Sequence, residues 1–281
     1  MHDGGLICSG VYGMAQLKTI LELENIHFSY ETGKPVLSNV NFSLQEGEKL
    51  GLIGYNGSGK TTLLHIIMGL LKPSSGIIRV LGKQVVSRKD FVEVRRRIGF
   101  VFQNADDQLF SPTVLEDVAF GPLNLGKSPK EARMMAMEIL EMLNLKGFEN
   151  RITHKLSGGE KKLVSLATVL VMQPKALLLD EPTTGLDEDA WFRIQSLLNH
   201  LDIGAVIVSH EYDFLAGTTR KIYSITGGRI VFDGDASTLH GHLHRHAEIR
   251  HPHQYTRPDS GNDRNESKSA PNGLIPSVNR R

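Results

Sequence analysis

A glycine-rich loop between an apolar strand and a helix constrains this chain more than any other feature. Residues 54–61 read Gly-Tyr-Asn-Gly-Ser-Gly-Lys-Thr and match the pattern G-x-x-x-x-G-K-[ST] in full. A short apolar run at 49–54 leads into the loop, and residues 61–71 have the apolar content of a buried helix. Strand, glycine loop and helix in succession are the context that a phosphate-binding loop requires. The pattern therefore predicts an α/β fold that binds a nucleotide, with a chance glycine turn as the alternative.

The residue types of this loop suit phosphate chemistry. Glycines let the backbone curl so that successive N–H groups point at phosphate oxygens, and the following helix adds the positive end of its dipole. Lys60 is expected to reach the β- and γ-phosphates, and Thr61 to hold Mg²⁺ through its hydroxyl. The predicted nucleotide-binding residues of this region are Gly54, Tyr55, Asn56, Gly57, Ser58, Gly59, Lys60, Thr61 and Thr62.

An acidic pair ends a second apolar run. Asp180 and Glu181 follow Leu177-Leu178-Leu179. Asp180 is a candidate for holding Mg²⁺ through water, and Glu181 is a candidate general base that polarises the attacking water. The alternative is that the pair merely terminates a strand, but a phosphate loop upstream favours the catalytic interpretation.

Composition excludes several classes of protein. The 281 residues carry a formal net charge of +1, from 32 basic and 31 acidic side chains, so bulk charge gives no case for nucleic acid as a partner. Cys8 is the only cysteine, so no disulfide forms within the chain and a reducing cytosol is expected. No apolar run approaches the roughly 20 residues that span a bilayer. The first 17 residues do not resemble a secretory signal, and Met14 is an alternative start to Met1.

Hydrophobic periodicity outlines further elements. Alternation of apolar and polar residues predicts a small antiparallel sheet from residues 21–23, 26–30 and 40–44. Buried strands are predicted at 98–102, 176–180 and 205–209, and a hairpin around Gly227-Gly228 joins residues 222–226 and 229–232.

Two helices are predicted in the middle of the chain, the first with a clear N-terminal signal. Ser128, Pro129 and Glu131 form a capping box with proline at the first helical position. The predicted apolar stripe of the helix that follows Ser128 consists of Ala132, Met135, Ile139, and Met142 or Leu143. A second helix is predicted from about Ser157 to Met172, and Pro174 ends it.

A short segment between the phosphate loop and the acidic pair identifies a family. Leu156-Ser157-Gly158-Gly159-Glu160 and, further on, Gly185-Leu186-Asp187 occur in the order typical of ATP-binding cassettes. Over about residues 20–240 the chain therefore resembles the ATP-binding-cassette (ABC) family. The resemblance implies an α/β P-loop NTPase fold with a mixed central sheet, an N-terminal antiparallel β subdomain and a helical subdomain at about 104–172.

The resemblance assigns roles to further residues. Gln103 links Mg²⁺ and the attacking water to the transport partner, His210 senses the γ-phosphate, and Tyr30 stacks on adenine, although a tyrosine at a strand end is common. In the family, the segment that corresponds to residues 156–160, called the signature segment, closes over the ATP of another subunit. This implies a dimer. The catalytic set is then Glu181, His210 and Gln103, and the metal set is Thr61, Gln103 and Asp180; the residues that complete the partner subunit's nucleotide site are Ser157, Gly158, Gly159 and Asp187.

The segment after Gln103 indicates what the ATPase drives. It resembles the ATPases of energy-coupling-factor importers, especially the cobalt and nickel branch, which take up vitamins or metal ions through a separate substrate-binding membrane protein. In the family this stretch receives a coupling helix of the transmembrane protein, and carboxylates offer charge-assisted bonds to its arginine. An alternative is that the acidic residues only solvate a loop. The predicted docking residues are Asp106, Asp107, Gln108, Leu109 and Phe110.

A histidine tract follows the apolar pattern. It holds half of the chain's 12 histidines, namely His240, His242, His244, His246, His251 and His253. Such a tract suits Co²⁺, Ni²⁺ or Zn²⁺, or is a polar tail without a selected role. The predicted divisions are an N-terminal extension at 1–19, the ATPase domain at 20–243 and a disordered tail at 244–281. We expect an ATPase peripheral to the cytoplasmic face of the membrane. A vitamin importer, for biotin for example, and a soluble assembly factor are the alternatives.

Overall fold

The structure is a computed structural model that describes residues 18–31 and 33–236. Its N-terminal part contains the predicted antiparallel sheet, with strand order β2-β1-β4-β5. The predicted segments 21–23 and 26–30 belong to one strand. The register shifts between Leu23 and Ile26, where Asn25 takes a positive φ of 50°. This local bulge bends a single long strand. The strands of this sheet are β1 (Thr19–Ser29), β2 (Pro35–Gln45), β4 (Ser75–Val80) and β5 (Lys83–Gln84).

A six-stranded mixed sheet forms the centre, in the order β10-β9-β3-β8-β7-β6. All neighbours are parallel except the final hairpin, where β10 runs antiparallel to β9. The carboxyl ends of the parallel strands share one edge, so the loops that follow them meet there. These strands are β3 (Lys49–Ile53), β6 (Ile98–Val101), β7 (Ala176–Asp180), β8 (Gly204–Val208), β9 (Lys221–Thr226) and β10 (Arg229–Asp235).

The central sheet is buried on both faces. Leu177, Leu179 and Ile207 face one apolar cluster together with the helices, whereas Leu178 and Val206 face a second cluster with the N-terminal sheet. Successive residues of a strand point to opposite faces, so both sets must be apolar. This explains why the strands read as continuous apolar runs.

Seven α-helices surround the sheets in the described part of the chain. The first ends earlier than predicted, because Gly69 takes a positive φ of 68° just beyond it and glycine in this conformation stops helices. Four of the helices, the second, third, sixth and seventh, were not predicted. The helices are α1 (Lys60–Ile67), α2 (Arg88–Arg97), α3 (Val114–Asn124), α4 (Pro129–Met142), α5 (Gly158–Leu170), α6 (Glu188–His200) and α7 (Tyr212–Thr218).

Helix α4 begins as predicted but faces the core differently. Ser128 and Glu131 form the predicted capping box. The buried side chains are Ala132, Ala136 and Leu140, whereas Met142 is 52% exposed. The predicted stripe was incomplete: Met135 and Ile139 pack against the core at its margin, and Leu143, the alternative to Met142, is buried just after the helix ends. The buried Ala136 and Leu140 were not predicted.

The predicted helical subdomain, the expected lack of a membrane span and the terminal segments are compared with the structure in turn. Helices α3, α4 and α5 fall within the range 104–172 predicted for a helical subdomain, whose boundaries stay a prediction. No helix among the described residues is both long and apolar enough to cross a bilayer. Cys8, Met14, the histidine tract and the tail at 244–281 lie outside the described residues.

Candidate nucleotide site

The glycine loop joins β3 to α1 and is shaped for a tight backbone approach. Gly59, the residue before α1, has a φ of 107°, and a Cβ added there would lie 2.8 Å from Leu37 Cδ2. Both the conformation and the space therefore require glycine. Helix α1 starts at Lys60, and the first amides of a helix have no intrahelical partner. They are available to an anion such as a phosphate group.

Lys60 is held over this loop. Its Nζ donates to the carbonyl oxygen of Gly54 at 2.7 Å and to that of Tyr55 at 3.3 Å. Burial lowers the pKa of Lys60, against the opposing influence of Glu181 and Asp180. The ammonium therefore lies between the loop and the acidic pair, where the phosphates of a nucleotide would carry negative charge.

A hydroxyl and a carboxylate from distant parts of the sequence meet beside α1. Thr61 Oγ1 donates to Asp180 Oδ2 at 2.8 Å. The other oxygen, Asp180 Oδ1, is buried and has no hydrogen-bond partner among the described residues. Hard oxygen donors of this kind are the ligands that Mg²⁺ prefers. The donor set thus fits the predicted magnesium ion, and exposed Gln103 follows β6 at the same sheet edge.

Glu181 and His210 form a pair at this edge. Glu181 Oε1 lies 3.0 Å from His210 Nε2, and Oε2 accepts from the His210 N–H at 3.3 Å and from Thr184 Oγ1 at 3.2 Å. Burial raises the pKa of the Glu181 carboxyl, although His210, Thr184 and Lys60 act in the opposite direction. A buried carboxylate with a raised pKa beside an imidazole is suited to accept a proton.

Tyr30 contacts the first turn of α1. Its hydroxyl is 3.0 Å from Thr62 Oγ1, and its ring packs edge-on against Phe28, with the centroids 4.8 Å apart. The ring is thus held beside the start of α1 and is half exposed, which is compatible with the predicted stacking on adenine. Tyr55 is almost fully exposed, as expected for a loop side chain that does not face the phosphates.

The signature segment lies at the start of α5. The Ser157 hydroxyl accepts from the Glu160 N–H, and Glu160 Oε2 accepts from the Ser157 N–H at 2.8 Å. Asp187 caps α6 by accepting from the Ala190 N–H at 2.8 Å. A Cβ on Gly159 would lie 2.7 Å from Ala190 Cβ, so the starts of α5 and α6 are in contact. In the described part of the chain, no hydrogen bond joins this segment to the glycine loop of the same subunit.

The predicted docking segment divides into inward and outward side chains. The amide of Gln108 bridges the Phe102 N–H, the Ser165 carbonyl and the Thr168 hydroxyl at 2.8–3.1 Å, and Leu109 is buried. These two residues hold the segment in place. Asp106 accepts from Lys161 Nζ at 2.6 Å.

The remaining docking residues face outward. Phe110 is 66% exposed, packs edge-on against exposed Phe120 with the centroids 4.8 Å apart, and belongs with Asp107 to the outer surface.

Two residues of the site were missed by sequence analysis. Thr184 bonds to the Glu181 carboxylate, and buried Lys162 donates to main-chain oxygens at the ends of β6 and β7. Thr184 could have been suspected from its place three residues after Glu181. No local pattern distinguishes Lys162, which follows another lysine near the start of a predicted helix, where charged residues usually face solvent.

Comparison with known proteins identifies the family. The sequence pattern of the ABC transporter family matches residues 37–184. The chain is 51% identical over 235 residues to a protein of Nitratidesulfovibrio vulgaris whose name describes it provisionally as an ABC transporter ATP-binding protein; the match covers 83% of this chain and 86% of that protein. The chain belongs to the ABC transporter family. It is an ATP-binding protein with the P-loop fold and the ATPase activity of that family.

Other similarities are more specific. This ABC ATPase is 41% identical over 239 residues to the energy-coupling factor transporter ATP-binding protein EcfA of Methanocaldococcus jannaschii, covering 83% of this chain and 86% of the relative. It superimposes on cbiO1 of Clostridium perfringens, part of the ABC transporter complex cbiONQ, with a TM-score of 0.73 and 36% identity, over 80% of this chain and 92% of that one. A dimeric ABC cassette in a post-hydrolysis state with ADP and phosphate matches with a TM-score of 0.69 and 31% identity, over 77% and 97% of the two chains.

Proposed function

We propose that this ABC ATPase hydrolyses MgATP at the carboxyl edge of its central sheet. The observation that carries the proposal is the convergence of Lys60, Thr61, Asp180, Glu181 and His210, which come from the ends of three parallel strands. The glycine loop and Lys60 bind the phosphates, and the ring of Tyr30 supports the adenine. Thr61 and Asp180 would hold Mg²⁺, which when bound would offset negative charge on the phosphate oxygens.

Glu181 is the proposed general base. Its carboxylate takes a proton from a water molecule whose oxygen attacks the γ-phosphorus, while the bond to the β–γ bridging oxygen breaks and ADP leaves. His210 holds the carboxylate through its main-chain N–H, and its ring, with Nε2 3.0 Å from Oε1, would orient the water. Gln103 would contact the water from the end of β6. Burial favours this chemistry because it keeps the pKa of Glu181 raised, closer to neutral pH.

Dimer formation would complete each site. Ser157, Gly158, Gly159 and Asp187 lie together at the starts of α5 and α6 without bonding to the chain's own loop. We infer that they contact the γ-phosphate held by a second, identical or related subunit, so that ATP closes the dimer and hydrolysis opens it. The dimeric structural relative with bound ADP and phosphate supports this arrangement.

The work of this cycle is proposed to be transport. The relatives named as energy-coupling factor ATP-binding protein and as part of a cbiONQ complex support an importer that combines this ATPase with a transmembrane coupling protein and a separate substrate-binding membrane protein. We favour cobalt or nickel as the substrate, with a vitamin such as biotin as the alternative. The subunit would lie peripherally at the cytoplasmic face, with the coupling protein at Phe110 and Asp107.

Two substitutions test the hydrolytic proposal. Glu181→Gln keeps the acceptor for the His210 and Thr184 donors but removes the base, so hydrolysis should fall by at least ~10²-fold. Binding of a fluorescent ATP analogue should persist. Lys60→Ala should instead weaken nucleotide binding itself. Near-normal turnover by Glu181→Gln would remove the role of this carboxylate, and unchanged ATP affinity in Lys60→Ala would contradict the placement of the phosphates.

A purification tests the transport proposal separately. The chain should be recovered from its native membranes in mild detergent together with a multi-spanning protein and a small substrate-binding membrane protein. Recovery only in the soluble fraction, with cytosolic partners, would favour the assembly-factor alternative and leave the ATPase assignment intact.

A further inference from the structure

A lysine on α5 is buried against the edge that carries the acidic pair. Lys162 is only 5% exposed. Its Nζ donates to the carbonyl oxygens of Phe102 and Glu181, each at 3.3 Å, and of Gln103. A lysine ammonium has three N–H donors, so these three oxygens satisfy all of them. No carboxylate forms an ion pair with this ammonium among the residues that the structure describes.

Packing alone does not explain a charge at this position. Taking an ammonium out of water carries a large desolvation cost, and burial lowers the pKa of Lys162 to about 8 despite the opposing influence of Asp180 and Glu181. A methionine has similar length and fills irregular apolar space without this cost. What methionine cannot supply is the three hydrogen bonds.

The three acceptors belong to the two loops that carry candidate catalytic residues. Phe102 and Gln103 follow β6, and Glu181 follows β7. Glu181 has a φ of 48°, in the left-handed region that non-glycine residues adopt only when their surroundings enforce it. Its N–H donates to the Val208 carbonyl at 2.9 Å, and its own carbonyl accepts from Lys162. The main chain of Glu181 is therefore held from both sides.

We propose that Lys162 is a positioning residue for ATP hydrolysis, which holds the main chain of Gln103 and Glu181 in the geometry that directs the Glu181 carboxylate at His210. The residue lies about one turn along α5 from Gly158. A displacement of the signature segment by the partner subunit's nucleotide would therefore reach the subunit's own catalytic loops through these hydrogen bonds. The inference rests on the hydrolytic role proposed for Glu181.

Lys162→Met in the full chain tests the inference. The variant keeps the length of the side chain and removes its donors, so the main chain of Glu181 should relax. Small misplacements of a reacting group cost up to about 10²-fold in rate, and we expect kcat to fall at least ~10-fold with KM for ATP little changed. Lys146→Met is the matched control, because its exposed ammonium pairs with Glu141 at the surface, and it should hydrolyse ATP at the parental rate.

Combination with Glu181→Gln separates positioning from a general structural role. Residues that act through one another are not additive, so Lys162→Met should reduce the residual rate of Glu181→Gln by less than ~3-fold. An equal loss in both backgrounds, or a parental kcat in Lys162→Met, would overturn the inference.

Lys162→Gln, which keeps a shorter amide donor, covers the case in which the methionine variant does not fold. It should give a kcat between those expected of the methionine variant and the parent, and a folded Lys162→Gln with parental kcat would again overturn the inference. Failure of the hydrolytic proposal would appear separately, as normal turnover by Glu181→Gln alone.

Discussion

The two glycines of the signature segment should respond in opposite ways to the same substitution. Gly158 and Gly159 are adjacent in α5, and neither has a positive φ, so alanine is allowed at both by backbone conformation. A Cβ on Gly158 would have no heavy atom within 4 Å, whereas one on Gly159 would lie 2.7 Å from Ala190 Cβ. The fold of the single subunit therefore requires only the second glycine.

The expected magnitudes follow from these contacts. Gly158→Ala places a better helix former in open space and should change stability by between zero and about 1 kcal/mol in the favourable direction. Gly159→Ala overpacks the contact between α5 and α6 and should cost about 1–3 kcal/mol. The two variants should thus differ by more than about 1 kcal/mol in free energy of unfolding, with Gly158→Ala the more stable.

ATP hydrolysis and the free energy of unfolding should respond differently to Gly158→Ala. If Gly158 faces the partner subunit's nucleotide, a methyl group there removes a close backbone approach, and hydrolysis should fall at least ~10-fold in a subunit that is fully folded. Denaturant unfolding and steady-state ATPase rates measure the two effects. Equal destabilisation by both alanines would refute the packing argument, and a parental ATPase rate in Gly158→Ala would refute the assignment of this surface to the dimer.

Three further predictions concern other parts of the structure. Hydrogen bonds from Ser157 lower the pKa of the Glu160 carboxyl below its ordinary 4.5, so its stabilisation should be present above that pH and be lost as the pH falls through the folded pKa. Glu160→Gln should lack this dependence in unfolding between about pH 3 and 7. Ser128→Ala removes the N-cap of α4 and should lower the free energy of unfolding by about 1 kcal/mol, measured by urea denaturation. Trp191, the only tryptophan, donates from Nε1 to Glu211 beside the catalytic edge, so ATP should alter its emission; an unchanged spectrum would contradict this link.

Local patterns predicted the elements that carry the nucleotide motifs. The strand before Glu181 has the predicted bounds, Ser128 caps α4 as its sequence indicates, and α5 starts next to Ser157 as predicted. These features depend on residues within one turn or one strand of each other. Thr61 was predicted from the phosphate-loop pattern and His210 from the family resemblance. The structure places both residues at the same sheet edge as the acidic pair.

The features that sequence analysis missed depend on tertiary contacts or on weaker signals. Helices α2 and α3 both have capping boxes, at Ser87 and Thr113, but Pro122 within α3 argues against a helix. The predicted stripe of α4 omitted Ala136, because alanine gives little hydrophobic signal although this residue is fully buried. Lys162 bonds to carbonyl groups up to 60 residues away in sequence, so no local pattern could have revealed its partners.

The geometry of α5 connects the proposed docking surface to the proposed catalytic edge. Asp106 is paired with Lys161 through Oδ1, so an arginine of a coupling helix would share this carboxylate with the lysine or displace it. Most of the affinity should then come from burial of the exposed Phe110–Phe120 pair, since aromatic anchors dominate binding and charges mainly set orientation. Lys161 is adjacent to Lys162, which holds the Glu181 main chain. Docking would thereby act on the helix that begins with the signature segment, and through it on hydrolysis.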